Sequence, residues 1–232
     1  ILLTPYRDPV TIDTERLGAF IQEAYAGAGL SPEGIDTGAV VITGEAAKKE
    51  NAEAILALFA REAGRFVCAT AGPHLEAVMA AHGSGAVARS SEGPSVLNVD
   101  VGGGTTKLAV CRGGDVVDTA IVNVGGRLVA YADGKVTGLE APGAQLGEAV
   151  GLRFCVGQPI DAAARAAVVD KMVGCLFELV ERRPLSPLTR SLMHSEPLTD
   201  KSPIDALMFS GGVSEYIYDR ESTEFGDLGK AL

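Results

Sequence analysis

Apolar residues recur along this chain in two rhythms. Between Thr14 and Ala28 the positions Leu17, Phe20, Ile21, Ala24, Tyr25 and Ala28 fall mostly three or four apart, as on one face of a helix. Asp13 or Thr14 caps that helix, and Gly29 and Ser31-Pro32 end it. Ala39-Val40-Val41-Ile42 is a short unbroken apolar run, as expected of a strand buried on both faces. Thr43-Gly44-Glu45 then turns into a second predicted helix carrying Ile55, Leu58 and Phe59, closed by Gly64. Arg65 to Thr70 reads as another strand. Pro73 stands at a first helical position, and its helix carries Leu75, Val78 and Met79 to Gly83. Strand, helix, strand, helix is the order of an α/β layer. Between Ala86 and Ser95 the sequence turns small and polar, with Ser90, Ser91, Gly93 and Pro94, and a domain boundary is expected there.

Beyond that stretch the rhythm becomes that of strands. Val96-Leu97-Asn98-Val99 and Leu108-Ala109-Val110 flank a glycine turn, and Gly113-Gly114 leads into a strand from Val116 to Val122. Asn123-Val124-Gly125-Gly126 ends it, and Arg127 to Leu139 reads as a hairpin around Asp133-Gly134. This meander suits a mixed sheet with antiparallel edge strands rather than a Rossmann order. Asp161 caps the longest helix, whose core face is Val169, Met172, Val173, Leu176, Leu179 and Val180, with Pro184 as its stop. Ser186-Pro187 begins a shorter helix through Leu192. Ala206-Leu207-Met208-Phe209 is a buried strand ending at Ser210-Gly211-Gly212.

Composition narrows the function classes. The 232 residues are 47% hydrophobic and 22% charged, which supports a packed core rather than disorder. The formal charge of −10 comes with no run of Lys or Arg, which disfavours nucleic acid and acidic membranes as partners. No stretch approaches the length of a membrane span, and none of the sequence reads as a signal peptide. Cys68, Cys111, Cys155 and Cys175 sit far apart in apolar surroundings with no C-x-x-C pair, so buried free thiols in a reducing cytoplasm are expected.

The candidate chemistry lies in two glycine motifs. In Asp100-Val101-Gly102-Gly103-Gly104-Thr105 three glycines leave no Cβ before an approaching ligand and permit φ > 0. The amides of Gly102, Gly103 and Gly104 can converge on phosphate as an anion nest, with Thr105 and Thr106 as hydroxyl donors. Asp100, at the strand end, is placed to hold a water of a magnesium ion, which keeps most of its hydration shell. A plain hairpin turn would use the same glycines. In Met208-Phe209-Ser210-Gly211-Gly212-Val213-Ser214-Glu215, Gly211 and Gly212 would let a nucleoside lie against backbone, although a tight strand-to-helix turn needs glycine equally. Lys107 could reach a phosphate, but strand alternation favours a solvated lysine on the sheet face. His74 and His82 read as surface or capping residues, and His194 stands in a polar loop.

In that order the two motifs resemble the ATPase superfamily of actin, sugar kinases and heat-shock chaperones. Asp100 to Thr106 is similar to its second phosphate hairpin and Phe209 to Glu215 to its adenosine motif. A narrower resemblance, to the reactivating factors of ethanolamine ammonia-lyase, runs along nearly the whole chain. It rests on Val41-Ile42-Thr43-Gly44-Glu45-Ala46-Ala47-Lys48, Ala71-Gly72-Pro73-His74-Leu75-Glu76, Leu97 to Thr105, Asn123-Val124-Gly125-Gly126-Arg127-Leu128 and Phe209-Ser210-Gly211-Gly212-Val213.

The resemblance implies an α/β, actin-like ATPase (ribonuclease H-like) fold of mixed sheets flanked by helices. Residues 1–90 would be a partial first subdomain, and residues 91–232 a second subdomain with the phosphate hairpin and adenosine motif. It implies ATP or ADP as ligand, with Mg2+ held mainly through water by Asp100. The function implied is an ATP-dependent chaperone, in ethanolamine utilisation, that releases damaged cobalamin from inactivated ethanolamine ammonia-lyase. The expected partner is therefore the lyase with bound cobalamin, and a homo-oligomer is left open. Localisation would be cytoplasmic, with association to the ethanolamine-utilisation microcompartment. A small-molecule kinase of the same superfamily and a non-catalytic actin-like scaffold are the alternatives. Chaperone ATPases carry a carboxylate just before the helix-starting Pro. Gly72 stands there in this chain, and Glu45 is the nearest substitute for orienting the attacking water. The chain starts at Ile1 rather than Met, and it stops soon after the adenosine motif. A truncated fragment is thus expected, with the first phosphate hairpin upstream of Ile1 and a further helix and strand beyond Leu232. Its ATP site would be half a site, with ATP binding weak or absent and ATPase activity impaired relative to the full-length protein.

Overall fold

The computed structural model describes residues 5–8, 11–36, 38–42, 66–70 and 72–232. The chain divides into two units, Ile1–Pro73 and His74–Leu232. In the first, β1 (Tyr6–Asp8) pairs antiparallel with β2 (Thr11–Ile12). The Asp13 carboxylate accepts from the Arg16 amide at 3.1 Å and so caps α1 (Thr14–Gly27), the helix predicted there. Strand β3 (Gly38–Ile42) runs parallel to β4 (Phe66–Thr70) in a register from Gly38↔Phe66 to Ile42↔Thr70. The helix predicted after Thr43, and with it Glu45, lies outside the described residues.

The second unit is built on a four-stranded mixed sheet in the order β10-β5-β6-β7. Two helices lead into it, α2 (Pro73–Gly83) and α3 (Ala86–Ser90). The sheet's first strands are β5 (Val96–Val101), β6 (Thr106–Arg112) and β7 (Asp115–Val122), an antiparallel meander as predicted. The hairpin of β8 (Val129–Ala132) and β9 (Lys135–Leu139) turns at Asp133 and Gly134, whose φ values of 50° and 71° fit a tight turn. Helices α4 (Ala141–Ala149), α5 (Ala162–Val180) and α6 (Pro187–Leu192) follow. Strand β10 (Ala206–Ser210) then adds parallel to β5, and the short α7 (Ser214–Ile217) leaves it.

Strand β5 is buried at every position, because helices cover both of its faces. Leu97, Val99 and Val101 belong to the larger core with Met172, Cys175 and Leu179 of α5. Val96 belongs to the other face with Ala81, Ala86 and Val87. Side-chain alternation along a strand therefore places Asn98 and Asp100 on the α2 face. Each fully buried Leu or Val contributes about 1.5–3 kcal/mol to this arrangement.

Two readings of the sequence change here. Ala86 to Ser90 is helical, and Ala81, Ala86 and Val87 pack on Val96, Ala109 and Cys111. The break between units consequently falls at Pro73, ahead of the small, polar stretch. Helix α4 was not foreseen, because Pro142, Gly143 and Gly147 obscure its period. Those glycines answer to packing: a Cβ on Gly143 would stand 2.4 Å from the Leu128 carbonyl oxygen, and one on Gly147 2.8 Å from the Phe154 ring. Cys111 and Cys175 are buried free thiols as expected, whereas Cys155 is exposed.

Candidate functional site

The parallel register of β5 and β10 sets Asp100 beside Ser210, so both glycine motifs leave the sheet at the same end of neighbouring strands. The Ser210 hydroxyl donates to Asp100 Oδ1 at 3.0 Å and accepts from Asn98 Nδ2 at 3.1 Å. Ser84, just beyond α2, donates to Asn98 Oδ1 at 2.8 Å. Gly211 adopts φ +86°, and a Cβ there would stand 2.4 Å from the Val101 carbonyl oxygen and 2.9 Å from Asp100 Oδ1. Gly211 is thus demanded by the close approach of the two motifs, which the Val213 amide completes by donating to the Val101 carbonyl at 3.2 Å. Gly212 answers to no such constraint: its φ is not left-handed, and a Cβ would meet nothing within 4 Å.

The three glycines after Val101 divide in the same way. None of them has a left-handed φ, so backbone conformation is not the reason for the triplet. The Gly102 amide is engaged with the Thr105 carbonyl at 3.0 Å, closing the turn, and is not an open phosphate donor as expected. The Gly102 and Gly103 carbonyls accept from the Gly126 and Arg127 amides at 3.0 and 2.6 Å. Gly125 lies flush on this turn, since a Cβ on it would stand 2.5 Å from the Gly103 oxygen. Gly104 is exposed and its Cβ would meet nothing. The Gly103 and Gly104 amides have no acceptor among the described residues. Thr106 is also corrected: it is fully buried and its hydroxyl donates to the Val124 carbonyl at 2.7 Å. Thr105, half-buried, remains at the rim.

Lys107 is not solvated. Only 7% of its side chain is exposed, and Nζ lies 2.6 Å from Glu76 Oε1 and 3.6 Å from Asp100 Oδ2. Sequence reasoning missed Glu76, although the small residues Ala77 and Ala81, one turn apart and both buried, mark the packed side of α2 next to it. Burial pushes the Asp100 carboxyl above its ordinary value, against the lowering effect of Lys107 and of the Ser210 hydrogen bond. Two carboxylates, Asp100 and Glu76, flank Lys107, with the Ser210 hydroxyl on Asp100, and among the described residues no group of three or more metal-ligating side chains exists. Such a set suits a cation held through its water shell rather than a protein cage. His74 Nδ1 pairs with the Thr119 hydroxyl at 2.7 Å, and His82 and His194 are exposed.

An apolar pocket of about 190 Å³ opens on the α5 face of the sheet, lined by residues including Val101, Val173, Phe177, Leu207 and Phe209. Every lining side chain is apolar, so it carries no side-chain group to fix a phosphate or a ribose. No described helix is long and apolar enough to cross a membrane.

The family model for the ethanolamine utilisation protein EutA matches residues 1–232. A curated relative from Salmonella typhimurium, named ethanolamine ammonia-lyase reactivase EutA, is 37% identical over 241 residues, covering 100% of this chain and 50% of that protein. Its namesake from Escherichia coli K12 is 35% identical over 242 residues with the same coverage. The chain thus spans about half the length of the curated relatives it matches. Among solved structures, MreB5 of Spiroplasma citri bound to AMPPNP overlays 94% of this chain and 71% of its own at 19% identity, with a TM-score of 0.41. The chain belongs to the ethanolamine utilisation protein EutA family.

Proposed function

We propose that this chain is the nucleotide-holding part of an ATP-dependent reactivating chaperone with an actin-like ATPase fold. It would act on ethanolamine ammonia-lyase whose cobalamin is damaged. The observation that carries the nucleotide site is the pair of positions Gly104 and Gly212. Both lie in turns beside Asp100 and Ser210, and neither packing nor backbone conformation requires them to lack a side chain. A ligand lying against the backbone does require it. The names of the half-matched relatives supply the client.

In this reading the Gly103 and Gly104 amides and the Thr105 hydroxyl bind the terminal phosphates, and Gly212 lines the nucleoside. Gly102, Gly211 and Thr106 shape the turns. Asp100 holds Mg2+ through water, and the cation supplies positive charge to the phosphate oxygens. Positioning and charge stabilisation carry most of phosphoryl transfer, so these residues do the main work. Glu45 is the carboxylate assigned to orient the attacking water. Nucleotide turnover then drives a domain movement that lets damaged cobalamin leave and intact cofactor enter, in the cytoplasm and beside the ethanolamine-utilisation microcompartment.

The test uses the full-length protein with cyanocobalamin-inactivated ethanolamine ammonia-lyase, free adenosylcobalamin and Mg-ATP, with Asp100→Ala alongside. Lyase activity recovered only with ATP and intact Asp100 is the expected result. No recovery with a folded protein overturns the reactivase reading.

A further inference from the structure

We infer that Arg127 is the phosphate-facing cation of this site, a residue that grips the terminal phosphates of a nucleoside di- or triphosphate. The inference rests on the nucleotide reading above. The Gly125-Gly126 step lies directly on the glycine turn, and the Arg127 amide donates to the Gly103 carbonyl. The Arg127 Cβ stands 3.5 Å from the point where a Cβ on Gly103 would be. The side chain therefore departs from the rim of the turn, beside the open amides of Gly103 and Gly104.

The charges around the turn single out the same residue. Lys107 lies beneath the turn, buried, and engaged by Glu76 and Asp100. With those two carboxylates it forms a group of net charge −1, so it offers no excess positive charge to an anion. Arg127 is 44% exposed and touches Asp227 at 3.4 Å, its one ion pair among the described residues. Asp227 is itself anchored, since its Oδ1 accepts from the Gly229 amide at 2.9 Å and the Leu228 amide donates to the Gly126 carbonyl at 2.7 Å. A fixed carboxylate steers the guanidinium without enclosing it. The guanidinium fork matches phosphate oxygens in pairs, which an ammonium does not.

The experiment measures binding of a non-hydrolysable ATP analogue, ADP, AMP and adenosine with Mg2+ to the full-length protein and to Arg127→Met and Arg127→Lys. Melting temperatures without nucleotide are recorded alongside. Arg127→Met leaves the backbone donor in place and should melt close to the unsubstituted protein. It should bind the ATP analogue and ADP about tenfold or more weakly, the loss of a charged hydrogen bond, with adenosine unchanged. Arg127→Lys should recover part of that loss. Equal affinity of Arg127→Met and the unsubstituted protein for the ATP analogue overturns the assignment alone. So does a uniform loss that includes adenosine. Absence of nucleotide binding by the unsubstituted protein overturns the nucleotide reading, and the assignment with it.

Discussion

Removing the Lys107 ammonium is the sharpest perturbation the site offers. Lys107 stands between two carboxylates, and the three side chains are 7%, 11% and 19% exposed for Lys107, Asp100 and Glu76. At an effective dielectric of about 20, unit charges 3.6 Å apart attract by about 5 kcal/mol before desolvation is counted. Desolvation offsets much of that in the intact cluster. Lys107→Met leaves the two carboxylates facing each other with no cation, and breaking a buried pair from one side costs about 3–5 kcal/mol. For a protein of this size that is a fall in melting temperature of roughly 6–20 °C.

The pH dependence has a fixed sign. Burial already raises the Asp100 carboxyl above its ordinary value, and Lys107 opposes that rise. Without Lys107 the folded protein holds the Asp100 proton more tightly still. The penalty is present above the folded-state value and fades as pH falls toward the ordinary carboxylate value, where the proton is bound in both states. Melting followed by circular dichroism from pH 7.5 down to about 4.5 should show the gap between Lys107→Met and the unsubstituted protein closing. Lys107→Met combined with Glu76→Gln should lose less than the sum of the two single changes, since they share one cluster. A Lys107→Met protein that melts with the unsubstituted one at pH 7.5 would refute the buried cluster and restore a solvated lysine.

Four further outcomes follow from the same structure. Asp100→Asn should stabilise the ligand-free protein at neutral pH, because it removes a carboxylate whose ionised form is disfavoured by burial. The gain should shrink toward pH 4 in the same melts, and ATP-dependent lyase recovery should be lost. Gly104→Ala should leave stability within about 0.5 kcal/mol while weakening nucleotide binding, since its Cβ meets open space. Gly125→Ala should destabilise by about 1–3 kcal/mol in urea titration, since its Cβ meets the Gly103 backbone. A native-state thiol reagent should label Cys155 ahead of Cys111 and Cys175, with Cys111, whose thiol burial pushes up to about 11, reacting only on unfolding.

The predicted elements that the structure bears out are those whose cues are local. Asp13, Asp161 and Ser186 cap α1, α5 and α6 through their own side chains, and Asp133-Gly134 turns the β8–β9 hairpin. Helix α4 was illegible because its glycines serve Leu128 and Phe154, contacts that no short window of sequence contains. The glycine triplet was legible as a turn but not in its division of labour. Gly102 closes the turn and Gly104 stands open, while Gly125, far along the chain, lies on Gly103. Thr105 and Thr106 look alike in sequence, and only the Val124 carbonyl beneath the sheet edge separates them.

Lys107 is the instructive failure, because the rule that misjudged it also explains it. Two-residue alternation puts Lys107 on the face of β6 that pairs with Asp100 of β5, and that part was right. Whether that face meets water depends on what lies over it. Helix α2 covers it, carrying Glu76 to Lys107 at one end and leading to Ser84, hydrogen-bonded to Asn98, at the other. Asn98 and Asp100 occupy the same face two residues apart, joined through Ser210. Two polar residues inside an otherwise apolar strand are costly to bury unless partners await them. Their presence in Val96–Val101 was itself the sign that a helix with matching polar groups covers that face. A lysine placed opposite the acid is the partner such a buried strand needs.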